Sequence, residues 1–303
     1  MRLLRGLMAV GSIATASALT LTAASAAGAT AIAVKPREAV AAAAHQHMSA
    51  KFMAEAHRAL VKYLHDGHPQ IDLVKPGAPA DSVSGTANTE SYNWSGYADA
   101  SSANGTFTAV SGEWRTPAVT CSAEDQLASE WVGLDGFNNS TVEQDGTLEW
   151  CFQSKALYYT WYEMYPAGTI VVGTTLQPND LIKASVSVTG TTYTLALTDV
   201  TNGANSFSTT ANCASCTDTS AEWIAERPAF AIGIAPLANY SNWGIYNARV
   251  TANGRSTIIL GYPTNYKINM ADATNTYLLN TTSAIANQHL PNNGFSTHWR
   301  NSY

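Results

Sequence analysis

From Ser91 onward, apolar and polar residues alternate with a period of two. Lys183–Val188 and Tyr193–Leu197 set apolar residues against Ser and Thr on either side of Thr189-Gly190, which predicts a β-hairpin. Thr106–Glu113, Glu130–Gly133, Leu157–Met164, Ala221–Ala225, Ala248–Thr251 and Thr257–Leu260 predict further short strands. Asn-Gly pairs at 104–105, 202–203 and 253–254 supply turns between several of them. Many short strands with few helical patterns, over roughly 210 residues, predict an all-β domain of the sandwich or jelly-roll kind.

Upstream the period changes. Met48, Phe52, Ala56, Leu60 and Tyr63 recur at helical spacing, predicting a helix from Arg37 to about His65 that Asp66-Gly67 and His68-Pro69 end. Pro76-Gly77-Ala78-Pro79 opens a linker of small polar residues reaching about Thr89. Arg2 and Arg5, the apolar run from Leu7 to Leu21 and Ala24-Ser25-Ala26 have the form of an export signal. The expected organisation is a signal peptide at 1–26, a helical leader and linker at 27–89, and a β-sandwich domain at 90–303. No later segment is long and apolar enough to span a bilayer, so the product is expected outside the cell, with no membrane partner.

Charge sharpens this division. Only 13% of the residues are charged, against an ordinary quarter. Residues 1–89 carry 8 Lys/Arg and 5 Asp/Glu, a net of +3, whereas residues 90–303 carry 8 and 17, a net of −9. Five of the seven histidines (His45, His47, His57, His65 and His68) also lie in the leader. An acidic domain is a poor nucleic-acid binder. A fold with few carboxylate salt bridges has little to lose when acid protonates them. In an exported chain Cys121, Cys151, Cys213 and Cys216 are expected as two disulfides, for which four thiols allow three pairings. Cys121–Cys151 with Cys213–Cys216 is preferred, because the second pair ties off one short loop. The spacing is a poor match to a four-thiolate zinc site.

The usual hydrolase signatures are missing. There is no G-x-S-x-G elbow and no H-E-x-x-H helix, and the domain holds only His289 and His298. No dinucleotide or phosphate-binding glycine pattern occurs, so neither a cofactor nor a metal is expected. Carboxylates set among aromatics remain. Alternation puts Trp161, Glu163 and Tyr165 on one strand face, and Glu222 with Glu226 on a face that Trp223 avoids. Trp131 and Asp135 lie in EWVGLDG, where Asp-Gly ends a strand, and Gln144 lies in VEQDG, ahead of another expected turn.

Five segments together carry a family resemblance: Asn93-Trp94-Ser95-Gly96-Tyr97, Trp131-Val132-Gly133-Leu134-Asp135-Gly136, Gln144-Asp145-Gly146, Trp161-Tyr162-Glu163-Met164-Tyr165-Pro166 and Ala221-Glu222-Trp223-Ile224. In this order they cover most of residues 90–230, and the chain resembles the glutamic peptidases, or eqolisins, acid endopeptidases first described in fungi. Its Ala-rich leader and Glu226-Arg227-Pro228 look like those of a bacterial member. The resemblance implies a concanavalin-like β-sandwich with Gln144 and Glu222 as the catalytic pair. Trp94, Trp131, Asp135, Trp161, Glu163 and Tyr165 match positions that line or support the cleft. It implies protein or peptide substrates and makes the leader a propeptide that inhibits its own domain. Two alternatives fit the same strands: a jelly-roll glycosidase using Glu163 and Glu222, and a carbohydrate-binding sandwich. Neither gives the leader or Gln144 a role.

Overall fold

A computed structural model of the chain describes residues 48–65, 73–75, 86–230, 233–274, 276–285 and 293–302, all within one compact unit, Glu38–Tyr303. The expected signal segment, residues 37–47 of the expected helix and most of the expected linker lie outside the described residues. Helix α1 spans Ala50–His65. Met48 and Ser49 are not helical, because Ser49 caps α1: its hydroxyl accepts from the Phe52 amide at 3.2 Å and its carbonyl from the Met53 amide at 3.0 Å.

The strands follow in chain order. They are β1 (Leu73–Lys75), β2 (Thr86–Ser91), β3 (Trp94–Ala100), β4 (Phe107–Arg115), β5 (Leu127–Leu134), β6 (Val142–Phe152) and β7 (Lys155–Tyr165). Next come β8 (Ile170–Gly173), β9 (Leu181–Thr189), β10 (Thr192–Asp199), β11 (Phe207–Asn212), β12 (Ser220–Glu226), β13 (Ala229–Phe230) and β14 (Gly233–Ile234). The last are β15 (Asn242–Ala252), β16 (Arg255–Ile258), β17 (Asn265–Ala271), β18 (Leu278–Thr282) and β19 (Phe295–Trp299). One layer runs β8-β7-β6-β5-β12-β3-β17-β2-β1, antiparallel throughout except for β2 beside β17. The other runs β11-β10-β9-β4-β15-β16, and β18 and β19 join β17 to β15. This is the expected all-β sandwich.

Alternation gives the first layer two buried faces. Val132, Leu134, Trp223 and Ala225 point between the layers and meet Trp114, Ile182, Val186 and Leu195. Trp94, Trp131, Leu148, Trp161 and Ile224 point the other way, under Ala56, Leu60 and Leu64 of α1. Met48, Phe52, Ala56 and Leu60 of the helical stripe read from the sequence are thus spent on this outer face; the Tyr63 side chain is not among those described. The two disulfides are Cys121–Cys151 and Cys213–Cys216, as preferred. Among the described residues no helix is long and apolar enough to cross a membrane.

Besides the later helix start, three expectations need correction. The linker read to Thr89 ends earlier, because Thr86–Ser91 is strand β2, paired in parallel with β17. The strand read over Thr257–Leu260 is β16, which stops at Ile258; the chain then turns inward through a short 3-10 segment that buries Ile259. The turn read at Asp145-Gly146 is the middle of β6. Gly146 is there for close packing: a Cβ on it would lie 2.2 Å from the Glu130 carbonyl oxygen and 2.6 Å from Trp131 Cβ.

Candidate active site

The β pairing builds a row across the outer face. Glu222 on β12 pairs with Gly133 on β5, Gly133 with Gln144 on β6, and Gln144 with Glu163 on β7. Directly opposed residues point to the same side of a sheet, so the three polar side chains share one face, and Gly133 leaves a gap between Glu222 and Gln144. Two residues along, Ile224, Trp131, Gly146 and Trp161 form the next row. Beyond it, Trp94, Glu226 and Ser129 form a third.

Gln144 and Glu163 touch: the Gln144 Nε2 donates to Glu163 Oε2 at 2.7 Å, and the Thr169 hydroxyl donates to Glu163 Oε1 at 2.7 Å. Glu226 accepts from Trp131 Nε1 at 2.8 Å and from Asn93 Nδ2 at 3.4 Å. Trp161 Nε1 donates to the Ser129 hydroxyl at 3.1 Å. Trp94 packs edge-on against Trp131, with ring centroids 4.8 Å apart. Gln144, Glu163 and Glu226 line a small cavity with Trp161, Leu148, Thr169 and, from α1, Leu64. Tyr165 packs on the margin of the same apolar cluster.

Glu222 makes no hydrogen bond to Gln144. Both its oxygens are buried without a hydrogen-bond partner. A Cβ on Gly133 would come within 2.9 Å of Trp131 Cζ3, so the indole edge overhangs the gap. Burial pushes Glu222 well above the ordinary carboxylate range. Ser220 stands near enough to oppose this without hydrogen-bond geometry, and the charges of Asp135, Glu143 and Asp99 add to the rise. Burial likewise raises Glu163 to about 7, against the bonds from Thr169 and Gln144. It raises Glu226 to about 8, against the bond from Trp131 and with the Glu163 charge adding. The site can therefore hold both protonated and ionised carboxyls between mildly acidic and neutral pH.

Asp135 does not line the cavity. It stands just past β5 with φ at +65° and accepts the backbone amides of Thr217 (2.8 Å), Asp218 (2.8 Å) and Thr219 (2.7 Å), plus Asn139 Nδ2 at 2.6 Å. It pins the segment that leads into β12 and hence to Glu222. Asp135→Ala leaves those amides without their acceptor, at about 1–3 kcal/mol for each that stays buried. Thermal unfolding in mild acid should show a fall of about 10 °C; an unchanged midpoint would deny Asp135 this role.

Nothing in the local sequence pattern marks Thr169, Ser129 or Asn93 as part of the site. The pattern puts Glu226 on one face with Glu222 without assigning it a place. For Glu226 the i, i+4 spacing was the available signal, whereas Thr169 reaches Glu163 only by folding back after Pro166. The alternative pair Glu163 and Glu222 lies three strand spacings apart, about 14 Å between backbones, with Gln144 and Gly133 between them.

Comparison with known proteins adds the remaining findings. Residues 92–290 match the Peptidase A4 family. The chain is similar to aspergillopepsin-2 of Aspergillus niger, at 27% identity over 218 residues that span 63% of this chain and 74% of that protein. Its fold is similar to that of scytalido-glutamic peptidase, solved with a transition state analog inhibitor (TM-score 0.58, 22% identity, 69% of this chain and 98% of that one). It is also similar to SCP-B, a member of the eqolisin family solved with the tripeptide Ala-Ile-His (TM-score 0.53, 19% identity, 69% and 98%).

Proposed function

Because the chain belongs to the Peptidase A4 family and is a glutamic endopeptidase, we propose that Glu222 and Gln144 are its catalytic pair, that it is exported and works in acid, and that α1 is part of an inhibitory leader. The observation that carries the pair is the row in which Glu222 and Gln144 flank a side-chain gap on one face. In this reading the Glu222 carboxylate takes a proton from the attacking water and returns it to the departing amine. The Gln144 amide does not titrate, so it can donate to the developing oxyanion at any pH. Glu163 sets which way that amide points. In this structure it accepts from Nε2, an arrangement that ionised Glu163 favours. When protonated in acid it offers an O–H to Oε1, which is otherwise buried without a partner, and frees Nε2 for substrate. Water entering once α1 departs would hydrate Glu222 and bring its pKa down toward the working range.

The inhibitory reading rests on Leu64 lining the same cavity as Gln144, Glu163 and Glu226. The leader's charge and histidines suggest an ionic attachment that acid would weaken. Among the described residues, however, no ion pair joins α1 to the sandwich, and the buried contact is apolar. Release in this reading follows cleavage of the chain after α1. Burial of two Leu side chains contributes about 3–6 kcal/mol. A precursor carrying Leu60→Asp and Leu64→Asp should therefore cleave an unfolded protein substrate at about pH 3–4 without the lag expected of wild type. Equal lags would rule α1 out as the inhibitor, and no cleavage by either protein after acid incubation would count against the catalytic reading.

A further inference from the structure

Cys213 and Cys216 flank the exposed dipeptide Ala214-Ser215, between β11 and β12. The other bridge is less open, for Cys151 is fully buried. Glu143 of β6 lies beneath the short bridge. It is the neighbour of Gln144 but points to the opposite face of the strand. Its Oε1 is 2.8 Å from Cys216 Sγ, and its Oε2 is buried without a hydrogen-bond partner. A disulfide sulfur carries no hydrogen, so a hydrogen bond across that distance requires the proton on the carboxyl. The surroundings favour that form. Burial pushes Glu143 up to about 9, the charges of Asp135 and Asp218 add, and the Thr141 hydroxyl opposes only from outside hydrogen-bond geometry. Among the described residues, Tyr193, whose hydroxyl donates to Asp218, and Glu222 complete the titratable groups that interact with Glu143, and none of these groups is a cation.

The geometry points to a second chemical site: we propose that the Cys213–Cys216 bridge undergoes thiol–disulfide exchange with small external thiols, and that Glu143 is the proton donor to the departing Cys216 sulfur. An external thiolate attacks Cys213 Sγ and forms a mixed disulfide. The Cys213–Cys216 bond breaks, its electron pair passes to Cys216 Sγ, and that sulfur takes the Glu143 proton. A second external thiolate attacks the external sulfur of the mixed disulfide, the bond to Cys213 breaks with its electron pair on Cys213 Sγ, and the protons released by the two external thiols restore Glu143 and protonate Cys213. The protein disulfide is reduced by two electrons, and two external thiols are oxidised to one disulfide. The bridge ends one residue before the segment that Asp135 pins and that leads to Glu222, so the site adjoins the support of the outer row. The inference does not depend on the catalytic assignment.

The test uses the full chain with reduced glutathione at about pH 5–6, with differential alkylation and mass spectrometry to count which cysteines open. Cys213 and Cys216 should be labelled while Cys121 and Cys151 are not. Glu143→Gln should slow the opening at least about tenfold, and Glu143→Asp should recover part of the rate. Equal rates for the two bridges, or equal rates for wild type and Glu143→Gln, would overturn the proposal. Should Glu143→Gln fail to fold, the wild-type rate decides: acceleration by added buffer acid would mean that solvent supplies the proton, which also overturns it, whereas independence from buffer acid supports an internal donor.

Discussion

Glu222→Gln is expected to lower kcat for protein hydrolysis on the order of 10⁴-fold while leaving the fold intact, since one carboxyl would lose both its base and its acid role. The replacement is nearly isosteric. It breaks no hydrogen bond, because neither Glu222 oxygen has a partner, and it removes a group whose ionised form burial disfavours. Stability should therefore hold or rise, which separates a catalytic loss from an unfolding loss. Gln144→Ala should cost about 2.7–4 kcal/mol of transition-state stabilisation, near 10²–10³-fold in kcat, if the amide is the oxyanion donor. Steady-state kinetics on the processed enzyme, with circular dichroism as the fold control, reads both. A folded Glu222→Gln protein that keeps more than about a tenth of wild-type kcat would remove Glu222 from the mechanism.

The second large effect is on stability, and its sign is opposite to that of most proteins. Asp99, Glu130, Glu143, Asp145, Glu149, Glu163, Glu222 and Glu226 are all buried, and burial is the first cause raising each above its ordinary value. Among the described residues the single salt bridge, Lys183 to Glu113 at 3.2 Å, involves none of them. Glu130 and Glu149 interact between the two layers, where Thr147 donates to Glu130 at 3.1 Å. An acid whose folded pKa lies above its unfolded value binds its proton more tightly when folded. Its contribution is complete below the unfolded pKa of about 4 and is lost as pH climbs through the folded pKa. That window runs from about 4 through about 7 for Glu130 and Glu163, about 8 for Glu226 and about 9 for Glu143.

One such group shifted by two to three units contributes on the order of 3 kcal/mol. Several ionising together approach the whole 5–15 kcal/mol of a typical domain. The protein should show its highest denaturation midpoint near pH 3–4 and lose stability steeply between about pH 6 and 9. Chemical denaturation across that range reads the effect directly, and a midpoint that rises from pH 4 to pH 8 would contradict it. Glu149→Gln should lift the neutral end of the curve. The sparse charge of the sequence explained only why acid does little harm; the burial of these carboxyls is why acid helps.

Strand after strand was legible because alternation is a local property: β9, β10, β7 and β12 each announce which residues face which way. The end of β5 at Asp135-Gly136 was legible for the same reason, since both residues take positive φ. The central strand β6 was hidden, because Asp145-Gly146 has the composition of a turn, and only the close approach of Glu130 and Trp131 explains a glycine there. Asp135 stands out in the sequence by its motif, but its work is done on amides 82 to 84 residues away.

By its own pattern the sequence determined an all-β domain behind a helical segment, and through five ordered motifs it carried the family and the identity of the candidate pair. Tertiary structure alone decided that Glu222, Gln144 and Glu163 stand in register in one row, that Leu64 lines a cavity with Gln144 and Glu163, and that Glu143 sits under a disulfide. The physical reason is range. Periodicity and turn chemistry are settled within a few neighbouring residues, whereas register, burial and the pKa values that follow from burial depend on strands brought together from distant parts of the chain.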